Sequence, residues 1–177
     1  MLNAQEYQSS QHWYVLTSKP REEQRAFDNL TSQGHDVFLP KIAKVKKRQG
    51  IKVVSLEPLF PNYLFIRLDK EQANFNAVRS TRGVGAFVRF GATQATISEQ
   101  LIEKIKQDTQ GEAESKTLDD LIKFNSGEKV EITEGPFKGL EAIYKSKDGL
   151  ERSILMVKML GQENEIKIEN QVIEKVS

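Results

Sequence analysis

Apolar and polar positions recur with two different periods along this chain, and each change of period marks an element. Trp13 to Thr17 is an aromatic and aliphatic run that predicts a first strand. Ala26, Phe27 and Leu30 then recur at helical spacing; Ser18 is placed to cap that helix, Pro20 suits its first turn and Gly34 is placed to end it. Asp36 to Lys46 predicts a second strand interrupted at Pro40, and Gln49-Gly50 turns a hairpin out of Lys44 to Val54. The stretch Glu57-Pro-Leu-Phe-Pro-Asn-Tyr-Leu-Phe-Ile-Arg-Leu68 organises the rest. Its second half has the make-up of a central strand, because Tyr63, Phe65 and the branched residues suit a pleated, half-buried surface. In its first half Pro58 and Pro61 lack an N–H and fix φ, which sets Leu59 and Phe60 on a stiff, extended approach. Beyond it Asp69 is placed to cap a short helix through Val78, Ala86 to Phe90 forms a further strand, and Thr96-Ile-Ser-Glu99 has the form of a capping box before Leu101, Ile102 and Ile105. Residues 1–106 are thus expected to be an α/β sandwich, helices against a mainly antiparallel sheet.

The tail carries two patterns at once. Residues 107–117 (Asp-Thr-Gln-Gly-Glu-Ala-Glu-Ser-Lys at their centre) bury too little apolar surface to order themselves and predict a linker. In 118–177, Val130 and Ile132 alternate into a Gly135-Pro-Phe-Lys-Gly139 turn, Asp148-Gly149 is a hairpin signal between Leu140 to Tyr144 and Ile154 to Leu160, and Ile166 and Ile168 alternate with charges. That describes five short strands, a small barrel. Yet Leu140, Ile143 and Tyr144 share a helical face, as do Leu155, Met156, Met159 and Leu160, so a helical hairpin meeting near Asp148 fits equally. Both forms stay open, and the whole chain falls in the α+β class.

Charge changes the picture more than overall composition does. The net charge of +1 hides a split: residues 1–106 hold 16 Lys/Arg against 10 Asp/Glu, a net of +6, and the remainder holds 10 against 15, a net of −5. The first part is therefore suited to meet a polyanion. The run Lys44 to Lys52 is either a strand edge guarded by lysines or a nucleic-acid contact. Proline bracing likewise gives Leu59, Phe60 and Tyr63 two roles, core residues or a preformed docking patch whose rigidity reduces the entropy lost on binding.

Catalytic chemistry finds few residues. There is no cysteine, which removes disulfides, thiolate metal sites and thiol nucleophiles and suits a reducing cytoplasm. His12 and His35 lack metal-spaced partners, Gly83-Val-Gly85 is followed by a strand rather than a phosphate-binding helix, and Asp119-Asp120 lies beside the linker. No apolar run has membrane-spanning length, and Asn3 to Gln11 lacks the character of a signal peptide. The expectation is a cytoplasmic monomer, not an enzyme, with no cofactor, no metal and no membrane contact.

Five stretches in this order and spacing carry a resemblance: Trp13-Tyr14, Glu57-Pro-Leu-Phe-Pro-Asn-Tyr-Leu-Phe65, Arg79-Ser-Thr-Arg-Gly-Val84, Phe87-Val-Arg-Phe-Gly91, and Gly127-Glu-Lys-Val with Gly135-Pro-Phe-Lys-Gly139. They resemble the NusG family of transcription elongation factors and, within it, the specialised RfaH-type antitermination members. The resemblance implies a first domain that grips the β′ clamp helices of RNA polymerase through Phe60, Pro61, Tyr63 and Phe90. It implies reading of the single-stranded non-template DNA of a paused elongation complex by Lys19, Arg25, Arg79, Thr81 and Arg82, with suppression of pausing and termination. The turn at Gly135 to Gly139 resembles a KOW motif, which implies a C-terminal domain that binds a small-subunit ribosomal protein, with Leu160 in that contact, and couples transcription to translation. In RfaH-type members the tail also exists as a helical hairpin over the polymerase-binding patch, which implies autoinhibition, a fold switch and an ion pair of Glu57 with Arg152. Asn74-Phe-Asn-Ala77 departs from the run that contacts the polymerase β subunit, and Asn29 stands in place of a DNA-reading histidine. The alternative is a general ribosomal or RNA-binding KOW module.

Overall fold

The computed structural model describes residues 10–110 and 139–176. The leader before Ser10, the linker beyond Gln110, Asp119-Asp120 and the KOW-like stretch from Gly127 to Lys138 lie outside the described residues. The chain divides into two compact units, each built from two stretches of sequence. One takes residues 1–39 and 62–100, the other residues 40–61 and 101–177.

The first unit is organised by β1 (Gln11–Ser18) and β5 (Tyr63–Asp69), paired antiparallel from Gln11 opposite Asp69 to Thr17 opposite Tyr63. β2 (Asp36–Phe38) lies on the far edge of β5 and β6 (Val84–Phe87) on the far edge of β1, which also pairs with β9 (Thr96–Ile97). Every pairing is antiparallel. Leu64, Phe65 and Ile66 are all fully buried, so consecutive side chains on opposite faces are covered and β5 is the central strand its composition predicts. On one face Tyr14, Leu16, Leu64, Ile66 and Leu68 pack with Ala26 and Leu30 of α1 (Glu23–Ser32) and with Val78 of α2 (Phe75–Arg79). Tyr14, Phe75 and Phe87 meet ring to ring, two of the three contacts edge-on. β7 (Arg89–Phe90) and β8 (Thr93–Gln94) form a separate two-stranded pair, so the strand expected from Ala86 to Phe90 divides between two sheets.

Several expected boundaries move. α1 begins five residues after Ser18, whose hydroxyl donates to the Lys19 carbonyl instead of capping; the N-cap is Glu22, with no side-chain cap bond. Asp69 does not cap α2 either. Its carboxylate accepts from the N–H groups of Glu71 and Gln72 and from Ser10, which together hold its pKa below the ordinary 3.8, while Asn74 caps α2 through the Ala77 N–H. At the capping-box site Thr96 pairs into the sheet, and Glu99 accepts from the Trp13 indole at 2.8 Å.

In the second unit β3 (Lys41–Arg48) and β4 (Ile51–Pro58) form a hairpin turned at Gln49 and Gly50, both at positive φ. Pro40 separates β2 from β3, and its carbonyl accepts from the Leu59 N–H, so the expected single strand is two strands in different sheets. α3 (Glu99–Gln110) runs four residues into the predicted linker, supported by the Lys104–Asp108 ion pair and by Thr109 donating to the Ile105 carbonyl. The described tail is helical: α4 (Leu140–Lys145) and α5 (Gly149–Val176) pack together, with Leu140, Ile143, Tyr144, Met156, Met159 and Leu160 buried. Among the described residues no helix is long and apolar enough to cross a membrane.

Candidate functional site

Four basic residues of the first unit, Lys19, Arg25, Arg79 and Arg82, lie where the β1–α1 turn and the start of α1 meet the segment between α2 and β6. The Lys19 N–H donates to the Gly83 carbonyl at 2.9 Å, and the Asn29 side-chain amide, one helical turn from Arg25, donates to the Arg82 carbonyl at 3.0 Å. Thr81 sits at the centre of this junction. It is buried, its hydroxyl donates to the Ala77 carbonyl at 2.9 Å, and the Gln33 amide donates to it at 3.0 Å.

Gly83 lets the two segments come this close. It sits at φ +91°, and a Cβ there would lie 2.7 Å from the backbone nitrogen of Ala26. β6 then leaves the loop, tied back to β1 because the Thr17 hydroxyl donates to the Ala86 carbonyl and accepts from its N–H. The result is a backbone-fixed platform carrying exposed Lys19, Arg25, Arg79 and Arg82. Arg25 is engaged by Glu22 at 2.8 Å; among the described residues Lys19, Arg79 and Arg82 have no acidic partner. Unneutralised cations on a fixed backbone suit phosphate groups, and arginine adds the option of a guanine edge or a stacked base.

Four of the five predicted DNA-binding residues are thus exposed on one platform, and the fifth, Thr81, supports it from beneath. Asn29 and Gln33, which hold the loop from α1, were not singled out for that role. Nothing in their sequence spacing signals it, because each bond spans about fifty positions.

The predicted apolar patch divides between the units. Phe60 is fully buried and Pro61 half-buried in the second; Tyr63, opening β5, and Phe90, in β7, are half-buried in the first. Within the second unit the segment from Glu57 to Pro61 is held by the first turns of α5. Arg152, fully buried, donates from Nε to the Leu59 carbonyl at 2.9 Å and from Nη2 to Glu57 Oε1 at 3.0 Å. Its Nη1 serves the carbonyls of Ser146 and Lys147 just after α4, so one guanidinium joins both helices to β4. A buried cation needs this many acceptors, because an incompletely paired one is strongly destabilising.

Sequence reasoning missed Ser153 and the tight fit of Gly149. Ser153 donates to the Pro61 carbonyl at 3.1 Å, and a Cβ on Gly149 would meet Pro61 Cγ at 2.7 Å. The Gly149 signal was present in Asp148-Gly149, which fitted a strand turn and the junction of a helical hairpin alike. Leu160, predicted for a ribosomal contact, is buried in the α5 face. Among the described residues no group of three His, Asp or Glu is placed to hold a metal.

The family model described as "Transcription termination factor nusG" matches residues 11–106, more than half of the chain. Transcription termination/antitermination protein NusG of Campylobacter jejuni is 26% identical over 178 residues, covering 95% of this chain and 99% of that protein. The Helicobacter pylori protein of the same name is 27% identical, with 93% and 98% covered. A Thermotoga maritima NusG structure aligns with a TM-score of 0.38 at 21% identity, over 56% of this chain and 57% of that one.

Proposed function

The chain belongs to the NusG family of transcription termination and antitermination factors, and from that premise we propose that it is an RfaH-type member whose resting tail covers its polymerase-binding segment. In this reading Phe60, Pro61, Tyr63 and Phe90 dock on the β′ clamp helices of RNA polymerase. Lys19, Arg25, Arg79 and Arg82, on the platform that Thr81 supports, hold the non-template strand of a paused complex. Binding suppresses pausing and termination.

The observation that carries the resting form is Arg152. Its guanidinium ties α4 and α5 to Glu57 and Leu59 beside a fully buried Phe60, so Phe60 must be uncovered before a partner can use it. The two periodicities of the tail support a second state. Once released, residues 118–177 form the five-stranded KOW barrel and contact a small-subunit ribosomal protein through a surface including Leu160.

Retention on immobilised RNA polymerase tests the docking and its cover together. Glu57→Ser removes the only carboxylate among the described residues that Arg152 meets, and retention is expected to rise about tenfold or more, the equivalent of about 1.4 kcal/mol. Adding Phe60→Ala or Tyr63→Ala to that variant should abolish the gain. Equal retention by wild type, Glu57→Ser and the double variants would discard both the patch and its cover.

A further inference from the structure

Among the described residues three non-glycine residues have positive φ, and in two of them the residue type or its neighbour suits the conformation. Asn62, at 70°, is a residue type that tolerates the left-handed region, and its N–H is held by Glu23; Gln49, at 52°, makes the β3–β4 turn with Gly50. Arg21, at 62°, is the third residue of the turn Lys19-Pro20-Arg21-Glu22, closed by the Glu22 N–H on the Lys19 carbonyl at 3.0 Å, so the turn explains the conformation but favours glycine or asparagine in it. Its Cβ is crowded in this conformation, and glycine would adopt it freely. The side chain is exposed, and among the described residues it makes no hydrogen bond or ion pair. The turn accounts for the conformation, and no contact among the described residues accounts for an arginine in it.

Its surroundings do. Arg21 stands in the β1–α1 turn, two residues after Lys19, whose N–H is anchored on the Gly83 carbonyl, and four before Arg25. Arg25 shares its guanidinium with Glu22 at 2.8 Å, whereas the Arg21 guanidinium at the same end of the platform meets no carboxylate among the described residues. We propose that Arg21 is a nucleic-acid contact that binds a phosphate of the single strand held by Lys19, Arg79 and Arg82, and that its backbone strain is retained for that contact. The inference rests on the nucleic-acid reading of the platform and adds a residue to it.

Arg21→Gly should move stability and binding in opposite directions, which a merely structural residue cannot do. Full-length protein is compared by thermal unfolding and by fluorescence anisotropy with a labelled mixed-sequence single-stranded DNA, from low to moderate salt. Arg21→Gly should unfold at a higher temperature and bind about 3- to 10-fold more weakly. The slope of log affinity against log salt should fall by about 0.7, the value of one phosphate contact on a single strand. Arg21→Lys should keep most of the affinity and the slope without the gain in Tm.

A lower Tm for Arg21→Gly, unchanged affinity, or weaker binding with an unchanged slope would overturn the assignment. The double variant Arg79→Ala/Arg82→Ala separates the two levels. If it weakens binding while Arg21→Gly does not, only the Arg21 contact falls. If the double variant binds like wild type, or wild type does not bind, the platform reading falls and Arg21 with it.

Discussion

Gly83 shows how much of the basic platform depends on one missing methyl group. Alanine there would combine a positive φ with a Cβ 2.7 Å from the Ala26 nitrogen, and backbone has no rotamer by which to yield. Gly83→Ala should cost about 2 to 5 kcal/mol, the sum of left-handed strain and overpacking, read as a lower urea midpoint; an unchanged midpoint would mean that α1 and the loop do not meet this closely. Glycine at this position was visible in the sequence as part of a basic turn, but its neighbour across the gap was not. Asp69 and Asn74 teach a similar lesson. Both are cap-type residues five positions apart, either could start a helix, and only the packing of Phe75 and Val78 decides that Asn74 does.

Among the elements, the α4–α5 pair is the one whose form the sequence left undecided. Its apolar residues satisfy a strand period and a helix period together, and a strand also needs a neighbour to pair with, which periodicity does not record. β5 posed no such ambiguity, because its apolar run is short, aromatic and bounded by proline and asparagine. The helical pair contains a group that reports on its integrity. Tyr144 is buried in α4, and burial first, then the nearby Asp108 carboxylate of α3, raises its pKa well above 10.0. Because the folded value lies above the unfolded one, stability is intact below pH 10 and is lost as pH rises toward the folded value. Wild type should therefore lose up to about 1.4 kcal/mol per pH unit above pH 10 that Tyr144→Phe does not, measured by urea unfolding followed at 222 nm. Parallel pH profiles for the two proteins would refute the burial of that hydroxyl.

At the scale of the whole chain, the compositional break near residue 107 is legible in the sequence, whereas the grouping of residues 40–61 with 101–177 is not. That grouping depends on bonds such as Arg152 to Glu57 and Ser153 to Pro61, which join positions more than ninety apart. A chain ending at Gln110 would keep β1, β2, β5 and β6 but would lose the bonds to Glu57, Leu59 and Pro61. It should bind the dye ANS more strongly than the full chain through newly exposed Leu59 and Phe60, while near-ultraviolet signals of the β1–β5 sheet persist; equal dye binding would show that α5 does not cover them.

The two-segment make-up of this second unit also sets a timetable. Pro61 is synthesised 88 residues before Gly149, so at about 5 to 20 residues per second the growing polypeptide spends roughly 4 to 18 s with its proline-braced segment made and its helical cover not yet translated. A newborn molecule still on the ribosome therefore passes through an interval in which this segment exists without the helices that bury it in the finished chain.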